Sequence, residues 1–119
     1  MIEALPFEVA DVLDALLSSD DPVHAALRAQ IPHLRILGRC TCGCGTTYFD
    51  LDTNAVQPAP SGPGTVVAAE APILAHNGDC PGEVLAFAAA GYLSWLEVCS
   101  WTDDDIKVTL AMAQQSLRR

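Results

Sequence analysis

The apolar residues in the first third of the chain recur at the spacing of amphipathic helices. Between Phe7 and Leu17 they fall every three or four positions, with acidic residues between them. A second stripe begins after Asp21 and Pro22, which suit an N-cap and a first helical residue, and ends ahead of Pro32. The short connection between the two stripes predicts an N-terminal helical hairpin whose apolar sides face inward.

From residue 34 the apolar pattern changes to a period of two, which is typical of β-strands. In the first run, the residues expected on one face are Leu34, Ile36, Gly38 and Cys40. In the second run, they are Thr47, Phe49 and Leu51. Glycines between the runs supply the positive φ that a tight connection requires. The two runs therefore predict a β-hairpin with cysteines at its tip.

The middle of the chain predicts a surface loop followed by an edge strand. Residues 52–64 are rich in proline and glycine and contain little to bury. Residues 65–76 resume an extended pattern, and Pro72 confines that part of it to an edge or a bulge because it lacks a backbone N–H. Residues 77–79 then predict a turn.

The segment 83–101 fits two structures. Its apolar residues match a helical stripe, yet Gly91 lies at the centre of the segment, and its Val, Phe, Tyr and Trp residues favour sheet. We therefore expect two strands joined around Ala90 and Gly91. After them, Thr102 as N-cap, aspartates at 103–105 and an apolar face that includes Thr109 and ends at Leu117 predict a C-terminal helix.

These elements together predict the α+β class and a single domain spanning residues 1–119. We expect an N-terminal helical hairpin, an antiparallel meandering sheet of four to five strands, and a C-terminal helix. Because the closing helix packs on one face of the sheet, the other face should remain available.

The charge of the chain limits the classes of partner. Its 15 acidic and 6 basic residues give a formal net charge of −9, which repels phosphate backbones and anionic lipids. Neither nucleic acid nor a membrane is therefore expected as a partner. The N-terminal residues do not resemble a secretory signal, and no apolar run reaches the ~18 residues of a membrane span, so we expect a cytoplasmic location.

The cysteines are the main candidates for chemistry. Cys40, Cys42 and Cys44 lie close together in the sequence, and Cys80, or His76 in its place, would complete a tetrahedral zinc site. The C-x-C spacing is tighter than the C-x2-C of most zinc knuckles. Reduced cysteines that simply pack around a glycine turn are therefore the competing interpretation, with no cofactor.

A thiol-redox function is a further alternative. Cys42 and Cys44 could form a strained and easily reduced disulfide, and the nearby Arg35 and Arg39 would favour the thiolate. The sequence contains no nucleophile motif and no phosphate-binding glycine loop. Glu97 alternates with apolar neighbours and is expected to point outward from a sheet rather than to act as a catalytic carboxylate. We therefore predict no catalytic residues.

Two segments carry a family resemblance. CTCGCGTTYFDLD, followed by GEVLAFAAAGYLSWLEV, resembles small uncharacterised bacterial proteins in which a Cys-Gly-Cys segment precedes a strand and a late hairpin carries a Gly-x-Leu-Ser-x-Leu-Glu-Val run. The resemblance implies a compact α+β domain with a meandering sheet, and it implies no activity.

The function predicted from these observations is that of a non-enzymatic, cytoplasmic domain that binds another protein, in the manner of inhibitor or immunity proteins. An acidic surface and the uncovered sheet face would make the contact. The alternatives are a small zinc-binding module built on Cys40, Cys42 and Cys44, and then a thiol-redox protein.

Overall fold

The described part of the chain forms an antiparallel sheet and three α-helices. A computed structural model describes residues 3–40, 45–75, 78–101 and 108–117. In chain order the elements are β1 (Glu3–Ala4), α1 (Phe7–Leu16), α2 (Pro22–Gln30), a 3₁₀ turn (Ile31–His33), β2 (Arg35–Arg39), β3 (Thr47–Asp50), β4 (Thr65–Ile73), β5 (Gly82–Ala89), β6 (Tyr92–Ser100) and α3 (Leu110–Leu117). The predicted α+β class, antiparallel sheet and C-terminal helix are confirmed.

The order of the strands differs from the predicted meander of four to five. The sheet has six strands in the order β1-β2-β3-β6-β5-β4. Two three-stranded meanders are joined through β3 and β6, and the chain crosses to the far edge of the sheet between β3 and β4. The two-residue β1 is too short to produce a periodic signal. The composition of the loop after β3 does not specify where the chain re-enters the sheet.

The hairpin expected in the segment 83–101 is confirmed. β5 and β6 pair along their lengths, and Ala90 and Gly91 turn the chain with φ of 51° and 88°. A Cβ atom at Gly91 would lie 2.5 Å from the carbonyl oxygen of Ala59. The Ala59 N–H also donates to the Gly91 carbonyl at 2.8 Å. The close approach of the proline-rich loop therefore restricts this position to glycine.

Bulges change which residues share a face. The register between β2 and β3 shifts between Ile36 and Gly38, so Ile36 pairs with Phe49 whereas Gly38 pairs with Tyr48. The prediction that Ile36 and Gly38 share a face is wrong, because the extra residue Leu37 reverses the alternation. In β3, which has no bulge, Thr47 and Phe49 are both buried, as predicted.

The helices cover one face of the sheet. Leu13 of α1 and Leu27 of α2 share a core with Val84, Ala86 and Leu96, and all five side chains are fully buried. The predicted hairpin of α1 packed on α2 is wrong in detail, because α1 makes its main helix contact with α3 and α2 contacts β6 and β4. Periodicity identifies the buried side of a helix but not the element that covers it.

The last helix begins later than predicted. Val108 and Thr109 are not helical, and α3 starts at Leu110. The Thr109 Oγ1 atom accepts from the Met112 N–H at 3.3 Å, so Thr109 caps the helix instead of lying inside it. The predicted cap at Thr102 and the aspartates at 103–105 lie outside the described residues.

The outer edge of β4 is occupied by neighbouring side chains. His24 Nε2 donates to the carbonyl of Ala68 at 2.9 Å. Ser116 Oγ accepts from the Leu74 N–H at 2.9 Å and lies 3.4 Å from the Pro72 carbonyl oxygen. Pro72 itself offers no N–H, and of the two positions predicted for it, an edge or a bulge, the structure has the edge strand. This edge is therefore partly closed to another strand.

Candidate functional site

The face of the sheet opposite the helices carries a row of large side chains. We call Tyr48, Trp95, Phe87 and Val67 the aromatic row, because they are consecutive register partners across β3, β6, β5 and β4. Tyr48 is 44% exposed and Val67 is 46% exposed. Successive side chains in a strand point to opposite faces, which leaves this row uncovered while its chain neighbours fill the core.

The centre of the aromatic row is a stacked pair. The rings of Phe87 and Trp95 have centroids 4.2 Å apart and planes inclined by 11°. Since Phe87 comes from β5, the opposite side of the Trp95 indole is turned toward β3. There, Tyr48 is its register partner. Trp95 and Phe87 are both half-buried, so the row forms a shallow apolar surface rather than a deep pocket.

Three carboxylates border the aromatic row, and we call Glu70, Glu83 and Glu97 the acidic border. Glu97 follows Trp95 by two residues in β6, and both Glu97 and Glu70 are register partners of Leu85. Glu83 is nearer the start of β5. All three lie on the uncovered face. Glu97 therefore has the outward position that was predicted for it.

One pair of opposite charges lies on the same face. Arg35 of β2 and Asp50 of β3 are register partners there, so their charges offset each other. The acidic border therefore gives this face its net negative charge. An aromatic surface with uncompensated carboxylates along one side of it is suited to a partner that is both apolar and basic.

The three cysteines in the described residues belong to different parts of the sheet but lie toward the same end of it. Cys40 follows the last residue of β2, Cys99 is near the end of β6, and Cys80 precedes the start of β5. Because these strands are antiparallel, the three positions lie at the same end, which we call the cysteine edge. The Cys80 thiol donates to the Gly82 carbonyl at 3.3 Å.

Only two members of the predicted zinc ligand set belong to the described residues at this edge. Cys40 and Cys80 are at the cysteine edge, whereas Cys42, Cys44 and His76 lie outside the described residues. Sequence reasoning did not include Cys99, although the expected hairpin in 83–101 places it near the end of its second strand. Within the described part of the chain, no group of three or more His, Cys, Asp or Glu side chains is positioned to hold a metal ion.

Thr46 anchors the start of β3 at the cysteine edge. Its side chain is buried, and Oγ1 accepts from the Val98 N–H at 2.9 Å and lies 3.4 Å from the Val98 carbonyl oxygen. The Cys40 N–H donates to the Thr46 carbonyl at 3.0 Å. The threonine side chain thus extends the contact of β3 with β6 and fixes the backbone next to Cys40.

A groove of about 440 Å³ lies at the opposite end of the sheet and is lined by several titratable residues. The sequence did not predict that these residues are neighbours. The groove places His33 near Arg35, Asp50 and Asp52. The residues that line it include no serine, threonine or cysteine, so the groove has no hydroxyl or thiol nucleophile of that kind beside its histidine.

Comparisons with other proteins do not assign a family. No protein-family model, curated protein or solved structure matches the chain. The resemblance to small bacterial α+β proteins therefore stays a prediction. None of the helices in the described residues combines the length and apolarity needed to cross a bilayer.

Proposed function

We propose that this protein is a non-enzymatic binding domain whose uncovered sheet face engages a basic protein, in the manner of inhibitor or immunity proteins. The observation that carries the proposal is the aromatic row with the acidic border along one side of it. Tryptophan and tyrosine are enriched among the residues that dominate binding energy at protein interfaces. Carboxylates around such a centre steer a basic partner and exclude acidic ones.

The charge of the chain favours a different protein over a second copy of itself. Two copies joined through this face would bring their acidic borders together, and each chain has a formal net charge of −9. Like charges placed opposite each other across an interface are unfavourable. A partner with a positive net charge would gain from the same arrangement.

The edge of the sheet at β4 is unfavourable for the addition of a partner strand, which favours binding through the uncovered face. The outer edge of β4 is contacted by His24 and Ser116 and contains Pro72. A partner strand would have to displace these contacts before it could pair with β4. The aromatic row requires no such rearrangement.

The test uses matched substitutions of exposed aromatic residues on opposite sides of the molecule. Tyr48→Ala removes one end of the aromatic row, and Phe7→Ala removes a side chain on α1 that is 69% exposed. A partner is isolated from a lysate of the native source and identified, and the purified partner is then titrated. We expect a basic partner whose affinity falls by about tenfold or more with Tyr48→Ala and is unchanged with Phe7→Ala.

Two results would contradict this proposal. Equal effects of Tyr48→Ala and Phe7→Ala would show that binding does not depend on the sheet face. A partner with an acidic surface, bound with an affinity that does not weaken as salt increases, would show that the acidic border is not involved.

A cytoplasmic location is part of the proposal. It is supported by the five cysteines of the chain, an odd number that does not suit a framework made only of disulfides. Cysteines in the cytosol are kept reduced, whereas secreted domains of this size commonly use disulfides. Labelling of the thiols in intact cells, before lysis, is expected to modify Cys80; resistance to labelling until reductant is added would contradict the location.

Zinc binding is the second candidate, because the sheet topology places cysteines from separate strands toward the same end of the sheet. Cys40, Cys80 and Cys99 reach the same edge, and Cys42 and Cys44 belong to the segment that joins Cys40 to Gly45. Thiolates from different strands can provide the tetrahedral set that zinc prefers. The candidate set is therefore the predicted Cys40, Cys42, Cys44 and Cys80, with His76 as the predicted substitute and Cys99 as a further alternative for one of the four positions.

Metal content tests this candidate directly. Protein purified without added metal is expected to contain about one zinc per chain, and Cys42→Ser with Cys44→Ser is expected to remove the metal and destabilise the fold. Less than about 0.2 equivalents of zinc would exclude the site. The thiol-redox alternative stays a prediction. Its proposed activator Arg39 lies 3.4 Å from a Glu3 carboxylate oxygen, and Arg35 is at the other end of β2.

A further inference from the structure

The groove at the end of the sheet opposite the cysteine edge has a basic side and an acidic side. The basic side consists of His33 and Arg35, which lead into and begin β2. The acidic side consists of Asp50 and Asp52, at and just beyond the end of β3. Arg35 and Asp50 are register partners on adjacent strands. We call this site, lined by these four residues, the charged groove.

The two opposite charges line the groove without contacting each other. Within the described residues, the salt bridge of β2 joins Arg39 to Glu3 at 3.4 Å, at the other end of the strand from Arg35. Arg35 is exposed and Asp50 is half-buried. The volume of about 440 Å³ is within the range of sites that hold small ligands. A ligand that carries both charges could therefore pair with both sides at once.

Backbone hydrogen bonds hold the segments on each side of the charged groove. The Asp52 carbonyl accepts from the Ala55 N–H at 3.0 Å, and Asp52 Oδ1 accepts from the Asn54 N–H at 3.0 Å. On the basic side, the Leu34 N–H donates to the Ile31 carbonyl at 3.1 Å, and the Leu34 side chain is buried. A ligand would thus meet a site whose backbone is already held in place.

We propose that the charged groove binds an α-amino acid with an aliphatic side chain, whose carboxylate pairs with Arg35 and whose ammonium group pairs with Asp50. This site is separate from the aromatic row and goes beyond the proposed function. A guanidinium binds a carboxylate through two parallel hydrogen bonds. Adjacent strands are about 4.8 Å apart, so the two charges of the ligand have to be close together, as they are in an α-amino acid. Apolar contacts for the side chain come from Pro32, Leu34 and Ala55.

The experiment titrates the protein with L-leucine and three related compounds, followed by NMR. Isocaproate lacks the ammonium group of leucine, isopentylamine lacks its carboxylate, and ε-aminocaproate is an isomer whose two charges are far apart. We expect L-leucine to bind with a Kd of about 1 mM or below. Each of the other three compounds is expected to bind about tenfold or more weakly, because it cannot pair with both sides of the groove.

Substitutions of exposed and half-buried charges locate the site. Arg35→Gln and Asp50→Asn are each expected to weaken L-leucine binding by about tenfold or more while the circular dichroism spectrum is unchanged. Arg39→Gln is the matched control, because Arg39 is an exposed arginine of the same strand that does not line the charged groove. It is expected to leave the affinity for L-leucine unchanged.

Several results would overturn the proposal. One is the absence of L-leucine binding by the intact protein at about 10 mM. Another is isocaproate or isopentylamine that binds as tightly as L-leucine, which would show that only one charge is recognised. A third is L-leucine binding that neither Arg35→Gln nor Asp50→Asn weakens, or that Arg39→Gln weakens as strongly, which would place the ligand elsewhere. Because the aromatic row does not line the charged groove, none of these results bears on the proposed function.

Discussion

The two faces of the sheet use the same strands for different purposes. On the helix-covered face, β5 and β6 present small and aliphatic side chains such as Val84, Ala86 and Leu96, all fully buried. On the uncovered face, the same strands present the stacked Phe87 and Trp95. Large rings are thus placed where the packing of helices on the sheet does not need them. We therefore expect stability to depend mainly on the helix-covered face, and the proposed binding to depend on the other.

The polar side chains on the two sides of the sheet also have different roles. Gln30 is 1% exposed under the helices, and its amide donates to the carbonyls of Gln57 and Gly91 and accepts from the Leu93 N–H. Each of these bonds is made to the backbone and holds the loop after β3 against the turn between β5 and β6. The carboxylates of the acidic border are instead directed away from the core, where a partner can reach them.

The largest expected effect is on the covered face, with Leu96→Ala. Removing this fully buried side chain leaves a cavity between β6 and the helices. We expect the free energy of unfolding to fall by about 3 kcal/mol, as measured by urea denaturation. The adjacent Glu97→Gln, which changes the uncovered face, serves as control and is expected to alter it by less than about 0.5 kcal/mol. Similar losses from both substitutions would remove the distinction between the faces.

Much of this fold could be predicted from the sequence because local signals were strong. The strands flanking Ala90 and Gly91 combine β-favouring residues with a turn that needs positive φ, and the structure has that hairpin. Two features had no local signal. β1 has two residues, and the position of β4 beside β5 depends on where the loop after β3 ends.

The candidate site was less predictable because its residues become neighbours only through register. Bulges interrupt the alternation in β2, β4 and β6, so a period of two counted along the sequence loses its phase at each of them. The sequence therefore predicted an acidic surface and an uncovered sheet face. It did not predict that Tyr48, Trp95, Phe87 and Val67 form one row, or that Cys99 reaches the same edge as Cys40.

An intermediate effect is expected from Gln30→Leu, which tests the buried polar contacts of the covered side. The substitution leaves the buried Leu93 N–H without its acceptor, whereas the Gly91 carbonyl still receives the Ala59 N–H. We expect a loss of about 2 kcal/mol in the free energy of unfolding.

The control is the same substitution at Gln114, whose amide donates to the half-buried carboxylate of Asp11 at 2.9 Å. Gln114→Leu is expected to cost less than about 1 kcal/mol, because water can replace the lost bond. If Gln30→Leu were as mild as Gln114→Leu, the amide of Gln30 would not be what holds the loop to the hairpin turn.

The smallest expected effect on stability comes from Val67→Thr. The same substitution at the adjacent Val66 provides a matched comparison, so the pair gives the sharpest test of the two faces. Val67 is 46% exposed on the uncovered face, whereas Val66 is half-buried against the core. Val67→Thr keeps the shape and β-branching of the side chain, so we expect the free energy of unfolding to change by less than about 0.5 kcal/mol. Val66→Thr places a hydroxyl against the core and is expected to cost about 1 kcal/mol.

In titrations with the basic partner at a temperature where both variants are folded, Val67→Thr should weaken binding several-fold and Val66→Thr should not. The reverse result would assign binding to the helix-covered side of the sheet.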